Sequence, residues 1–182
     1  MKKRILFLTG NPGVGKTTVL LKAIESFRAK GYSVGGMISH EVRSCGTRVG
    51  FEISDLSNGA RGWLAHVNQE SGPQIGKYRV NLKDLEGVGV VAVMKAIEIS
   101  EVVAIDEYGP MELFSGKFKE AVRKAIESDK LLVSIVHWKA RDRLIDEAKA
   151  REDAAVYVVT CENRASLHEV VVGRAVESRK HK

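Results

Sequence analysis

The chain has 182 residues, 44% of them hydrophobic and 29% charged, with a formal net charge of +6. That length suits one domain with a sizeable core, and the balance of apolar and charged residues excludes a disordered chain. No apolar run approaches the roughly 20 residues needed to span a bilayer.

The opening "MKKRILFL" resembles the start of a signal peptide, but its apolar run is short and passes straight into "TGNPGVGK" without a cleavage site. A cytoplasmic protein is therefore expected. Cys45 and Cys161 lie far apart with no Cys or His at ligand spacing, which predicts two reduced thiols rather than a disulfide or a zinc site. The positive charge permits attraction to nucleotides or nucleic acid, although solvated helix faces and the "SRKHK" tail account for it equally well. No motif of an RNA-binding module is present.

In chain order, "RILFLTG" (4–10) is a continuous apolar run ending at glycine, as expected of a strand buried on both faces. Residues 16–31 carry apolar positions at helical spacing and stop at Gly31, a C-cap. Residues 32–42 and 47–56 read as two strands joined by the polar turn "RSCG", a hairpin inserted into a βα pattern. A short strand follows at 76–81. Residues 82–100 predict a helix despite their glycines, because "VVAVMKAIEI" is helically periodic.

Next come a buried strand at 101–109, a helix at 115–128, a strand at 130–137, a helix at 141–151, a strand at 154–160 and a helix at 163–180. Strands alternating with helices of this length predict one α/β domain spanning 1–182, with a mostly parallel sheet covered on both faces.

Two segments carry chemistry. "GNPGVGKT" fits G-x-x-x-x-G-K-[ST] through Gly10, Asn11, Pro12, Gly13, Val14, Gly15, Lys16 and Thr17. It follows a strand and opens a helix, the context in which inward-pointing backbone N–H groups and the helix N-terminus cradle phosphates. Lys16 then reaches the β- and γ-phosphates, and the Thr17 hydroxyl ligates Mg²⁺.

The second segment is "VVAIDEYG": Val102, Val103, Ala104, Ile105, Asp106, Glu107, Tyr108 and Gly109. Two adjacent carboxylates at the end of a buried strand need a cation, a proton or open water. In a phosphate-loop fold the strand ending in Asp is expected beside the first strand, and its Asp holds the Mg²⁺. Asp106 fits that role. Glu107 then stands where an attacking water gives up its proton, the alternative being a solvated strand end or a helix-cap partner. Such strand-end Asp-Glu pairs resemble those of the RecA-like and AAA+ ATPases.

Across nearly its whole length the sequence resembles the THEP1 family of P-loop nucleoside-triphosphatases. The resemblance rests on "GNPGVGKTT" (10–18), "GGMISHEVRSCGTRVGFEISDL" (35–56), "GKYRVN" (76–81), "AIDEYGPMELFSGKF" (104–118) and "CENR" (161–164). It implies an α/β P-loop NTPase fold of RecA-like (ASCE) type, a mostly parallel sheet flanked by helices with an inserted β-hairpin. It also implies a slow, Mg²⁺-dependent hydrolase of nucleoside triphosphates with little base preference, weaker on diphosphates. Carried over, its nucleotide-binding positions are Gly10 to Thr17 and Val102 to Gly109, with Lys16 and Glu107 catalytic and Thr17 and Asp106 on the metal. Tyr108 departs from the aliphatic residue expected before Gly109.

Further candidates are open to two readings each. Glu41, Arg43 and Arg48 lie on the hairpin, where an arginine either stabilises charge on the phosphoryl group or is a surface residue. His137 either senses the γ-phosphate or is a satisfied strand-end histidine. Asn163 reads as the N-cap of the last helix, and Arg164 either stacks on the nucleobase or is solvated. Trp63 and Trp138 read as core or rim packing. A monomer is expected. The competing functions are a small-molecule or nucleotide kinase, disfavoured by the lack of an Arg-dense lid, and a nucleotide-dependent RNA-binding switch.

Overall fold

The computed structural model describes residues 3–139 and 142–179. Strand β1 (Ile5–Thr9) leads through the glycine loop into α1 (Lys16–Ala29). That helix ends as its sequence predicts: Gly31 takes φ 86°, and the Gly31 and Tyr32 N–H groups donate back to the Arg28 and Phe27 carbonyls. Strands β2 (Val34–Ser44) and β3 (Thr47–Asp55) form the expected hairpin. Its turn is Cys45–Gly46, both at positive φ, the backbone that a two-residue hairpin loop demands.

Three short strands follow: β4 (Arg61–His66), β5 (Gln74–Ile75) and β6 (Tyr78–Val80). The hairpin is therefore part of a larger antiparallel wing, with β4 paired to β3 and β6 paired to β4. The region from 82 to 99 is helical in three pieces: α2 (Leu82–Asp84), a π-helical segment (Leu85–Val90) and α3 (Val91–Ile99). Gly89 in the π segment permits close packing on the sheet, since a Cβ there would lie 2.7 Å from the Met37 sulfur.

The rest alternates as predicted: β7 (Val102–Tyr108), α4 (Gly116–Glu127), β8 (Leu131–Val136), α5 (Arg143–Lys149), β9 (Ala154–Val158) and α6 (Leu167–Arg179). Ser115 caps α4 by accepting from the Phe118 N–H, and Asp142 caps α5 by accepting from the Leu144 N–H. Arg141 and Lys180, at the predicted limits of the last two helices, lie outside the described residues. Asn163 does not cap α6. Its side chain accepts from the Thr160 N–H and donates to the Val158 carbonyl, so it shapes the turn after β9.

Among the described residues the strands form one sheet, ordered β5-β6-β4-β3-β2-β7-β8-β1-β9. From β2 through β9 the pairings are parallel. The expectation that the acidic strand β7 lies beside β1 is not met, because β8 runs between them. This interposed strand is the mark of the RecA-like division. Continuous apolar runs are explained by burial on both faces. Ile5 and Phe7 of β1 join one core with α3 and α4, while Leu6 and Leu8 join another with α1 and α6. The parallel strands thus deliver the glycine loop, the acidic pair and His137 to one edge, their carboxyl ends.

Candidate active site

The phosphate loop leaves β1 with Gly10, Gly13 and Gly15 at φ 150°, 74° and 110°. Helix α1 starts at Lys16 with no side-chain cap, so its first N–H groups remain available at the loop's mouth. These groups and the helix dipole favour an anion there. The Lys16 ammonium lies across the loop, donating to the Gly10 and Asn11 carbonyls at 3.1 Å each.

Opposite the loop, Val102, Val103, Ala104 and Ile105 are fully buried core residues that hold the end of β7 in place rather than line a cavity. Asp106 is 3% exposed. The Thr17 hydroxyl and the Ser39 N–H hydrogen-bond its carboxyl group, whereas Oδ2 is buried with no partner. Burial, reinforced by the charge of Glu107, pushes the Asp106 carboxyl up to about 7 despite Thr17 and Lys16. Glu107 also holds an unpartnered buried oxygen, Oε1. Burial raises its carboxyl too, opposed by the charges of Lys16 and His137. The peptide joining the two acids is cis.

A hydroxyl beside a carboxylate with a vacant lone pair suits a hard cation. Among the described residues no three His, Cys, Asp or Glu side chains are grouped to hold an ion alone. A donor set of Thr17 and Asp106 completed by phosphate oxygens and water is the pattern Mg²⁺ takes in nucleotide sites.

Glu112 lies outside the two motif segments. It follows β7 on a short 3₁₀ turn (Glu112–Phe114), is 4% exposed and accepts from the Gly109 N–H at 3.1 Å. Burial first, then the charges of Glu107 and Asp106, push it up to about 8. A neutral Glu112 therefore anchors the loop behind the acidic pair. The one signal in the sequence is an acid within the otherwise apolar "PMELF".

A cavity of about 520 Å³ is lined by Lys16 and Thr17, the acids Asp106, Glu107 and Glu112, His137 and residues of the antiparallel wing. Arg48 lies in its wall. Arg43 does not: it binds Glu41 at 2.7 Å and the Gly46 carbonyl at the hairpin tip. Tyr108 is buried, its hydroxyl donating to Asp142 at 3.0 Å. Arg164 lies outside the cavity against the phosphate loop, donating to the Val14 carbonyl at 3.4 Å. Neither Trp63 nor the exposed Trp138 lines the cavity, in keeping with packing roles.

A glycine cradle and an acidic strand separated by one intervening strand define a P-loop nucleoside-triphosphatase of the RecA-like division. The family model described as "NTPase" matches residues 5–172. A nucleoside-triphosphatase THEP1 of Thermofilum pendens is 46% identical over 171 residues, 92% of each chain. The crystal structure of THEP1 from Aquifex aeolicus superposes with a TM-score of 0.81 at 30% identity, covering 95% of this chain and 98% of that one. The solution structure of a human cancer-related nucleoside triphosphatase gives 0.82 at 36% identity, over 97% and 99%. The chain belongs to the THEP1 family of nucleoside-triphosphatases.

Proposed function

We propose that this protein hydrolyses nucleoside 5'-triphosphates to diphosphate and phosphate, with Mg²⁺, slowly and with broad base tolerance, and diphosphates more weakly. The observation that carries this reading is the pair of partnerless buried oxygens, Asp106 Oδ2 and Glu107 Oε1, opposite the phosphate loop. One is suited to the metal and the other to water. The loop N–H groups and Lys16 bind the phosphates, and Thr17 with Asp106 would hold Mg²⁺. Bound there, the ion neutralises charge on the β- and γ-phosphate oxygens.

Glu107 orients a water against the γ-phosphorus and takes its proton as the new oxygen–phosphorus bond forms. The bond to the bridging oxygen breaks, and the diphosphate leaves. The raised affinity of Glu107 for a proton makes it the stronger base. The sequence carries no base-specific motif such as N-K-x-D, in keeping with broad tolerance. We further infer a monomer acting in the cytoplasm; among the described residues no helix is long and apolar enough to cross a membrane.

The test is Mg²⁺-dependent phosphate release from ATP, GTP, CTP and UTP by wild type and Glu107→Gln, with nucleotide affinity measured on the same samples. Release should occur with all four and fall about 10²–10⁴-fold in the variant while affinity survives. A variant that hydrolyses like wild type removes Glu107 from the mechanism.

A further inference from the structure

The sheet register places the acidic pair in an interruption of the ladder. Strands β7 and β8 pair in parallel up to Ile105 with Ser134, and again at Tyr108 with Val136. Between those points β7 advances three residues and β8 only two, so Asp106 and Glu107 span a bulge. A bulge re-aims the side chains it carries, and their direction depends on how its two ends are held. Asp106 has further support from Thr17 and the Ser39 N–H. Glu107 has less. Its Oε1 has no partner, so the backbone on either side sets where the carboxylate points.

The far end of the bulge is Tyr108, which is held in three directions. Its carbonyl accepts from the His137 N–H at 3.1 Å. Its fully buried ring stacks on Phe118 of α4, with centroids 6.4 Å apart. Its hydroxyl donates to Asp142 Oδ1 at 3.0 Å. That same oxygen accepts the Leu144 N–H at the start of α5, while Oδ2 accepts from Lys119 of α4 at 3.1 Å.

One hydroxyl therefore ties the end of β7 to the beginning of α5. A hydrogen bond onto a carboxylate is among the stronger kinds, and an aliphatic side chain at 108 would have no such donor. Tyr108 does not line the cavity. The phosphate loop and Lys16 stand on the far side of β8, so phosphate binding does not depend on this tie.

We propose that Tyr108 is a positioning residue for hydrolysis: its bond to Asp142 closes the bulge and so aims the Glu107 carboxylate at the attacking water. It touches neither nucleotide nor metal. The inference rests on the reading of Glu107 as the base that takes the proton of that water. Proton abstraction needs the carboxylate within hydrogen-bond reach, and a displacement of about 1 Å costs up to about 10²-fold in rate.

The test is Tyr108→Phe, which removes the hydroxyl and keeps the ring, made both in the wild type and in Glu107→Gln. Phosphate release from ATP with Mg²⁺ is measured in single and multiple turnover, together with the affinity for ADP. In the wild-type background kcat should fall about 10–100-fold while KM and ADP affinity stay constant. In the Glu107→Gln background the residual rate should move less than about twofold, because no base remains to be aimed. Lys119→Gln removes the other partner of Asp142 but leaves the tyrosine bond, and should keep kcat within about twofold of wild type.

An unchanged kcat in Tyr108→Phe, a rise in KM in its place, an equal fall in both backgrounds, or the same fall in Lys119→Gln overturns the proposal. The single variant Glu107→Gln separates the other failure. If it releases phosphate like wild type, the base reading is defeated, and the proposal with it.

Discussion

Replacing Asp106 by Asn should stabilise the protein at alkaline pH while abolishing its Mg²⁺-dependent activity. In the fold the Asp106 carboxyl is pushed from 3.8 up to about 7, mainly by burial. A folded-state value raised in this way means stability that is fully present below the unfolded value and lost as pH rises through the folded one. At 1.36 kcal/mol per unit, the penalty for ionised Asp106 approaches about 4 kcal/mol above neutrality, and about 1 kcal/mol of it is present near pH 4.5. Asn keeps an acceptor for Thr17 and the Ser39 N–H, but its amide takes the unpartnered Oδ2 position at a cost of about 1–3 kcal/mol. That cost is the same at both pH values.

The diagnostic quantity is therefore the change with pH of the difference between variant and wild type. Urea unfolding without nucleotide or metal at about pH 4.5 and pH 8.5 should show the variant gaining about 3 kcal/mol on wild type between the two. Mg²⁺-dependent nucleotide hydrolysis by the variant should be lost throughout. A difference that does not move with pH would falsify the claim that Asp106 is ionised against its surroundings. A gain of the opposite sign would mean that a cationic partner outweighs burial.

Gly36→Ala should destabilise the fold by about 3 kcal/mol or more, read as a drop in thermal midpoint, because φ is 118° and the new Cβ would meet the Ala104 carbonyl oxygen. A variant as stable as wild type would show that the pairing of β2 with β7 is looser than this contact requires. Glu112→Gln should remove a loss of stability that wild type shows as pH climbs from the ordinary carboxylate range through about 8; parallel pH profiles for the two proteins would refute a raised Glu112. Arg164→Ala should raise the KM for nucleotide about tenfold at constant kcat, the signature of lost binding on the base side of the loop. A fall in kcat at constant KM would assign Arg164 to the chemistry instead.

Much of this arrangement is local and therefore legible. The phosphate loop is eight consecutive residues whose spacing is its chemistry, and Asp106 and Glu107 betray themselves as charges closing an apolar run. The burial of β1 and β7 on both faces follows from their unbroken hydrophobicity, and the first helix stops at Gly31, where the sequence places its cap. Resemblance in the hairpin and "GPMELF" segments supplied the family.

Other features depend on partners distant in sequence. That β8 separates β7 from β1 is a property of sheet order, which no single strand encodes. Strand β4 is six residues with a mixed burial pattern, stable only because β3 and β6 flank it, so its sequence alone gave no strong period. The neutral Glu112 is a consequence of two other carboxylates folding against it. The same holds for Arg43 and Arg48, which read alike in the sequence. Register on the hairpin sends one to the exposed tip and the other, braced by Tyr78 and Phe51, into the cavity wall. The chemistry at the strand ends is written in contiguous residues and so can be read from the chain. Which charges face one another is set by the fold, because burial and proximity fix their energies.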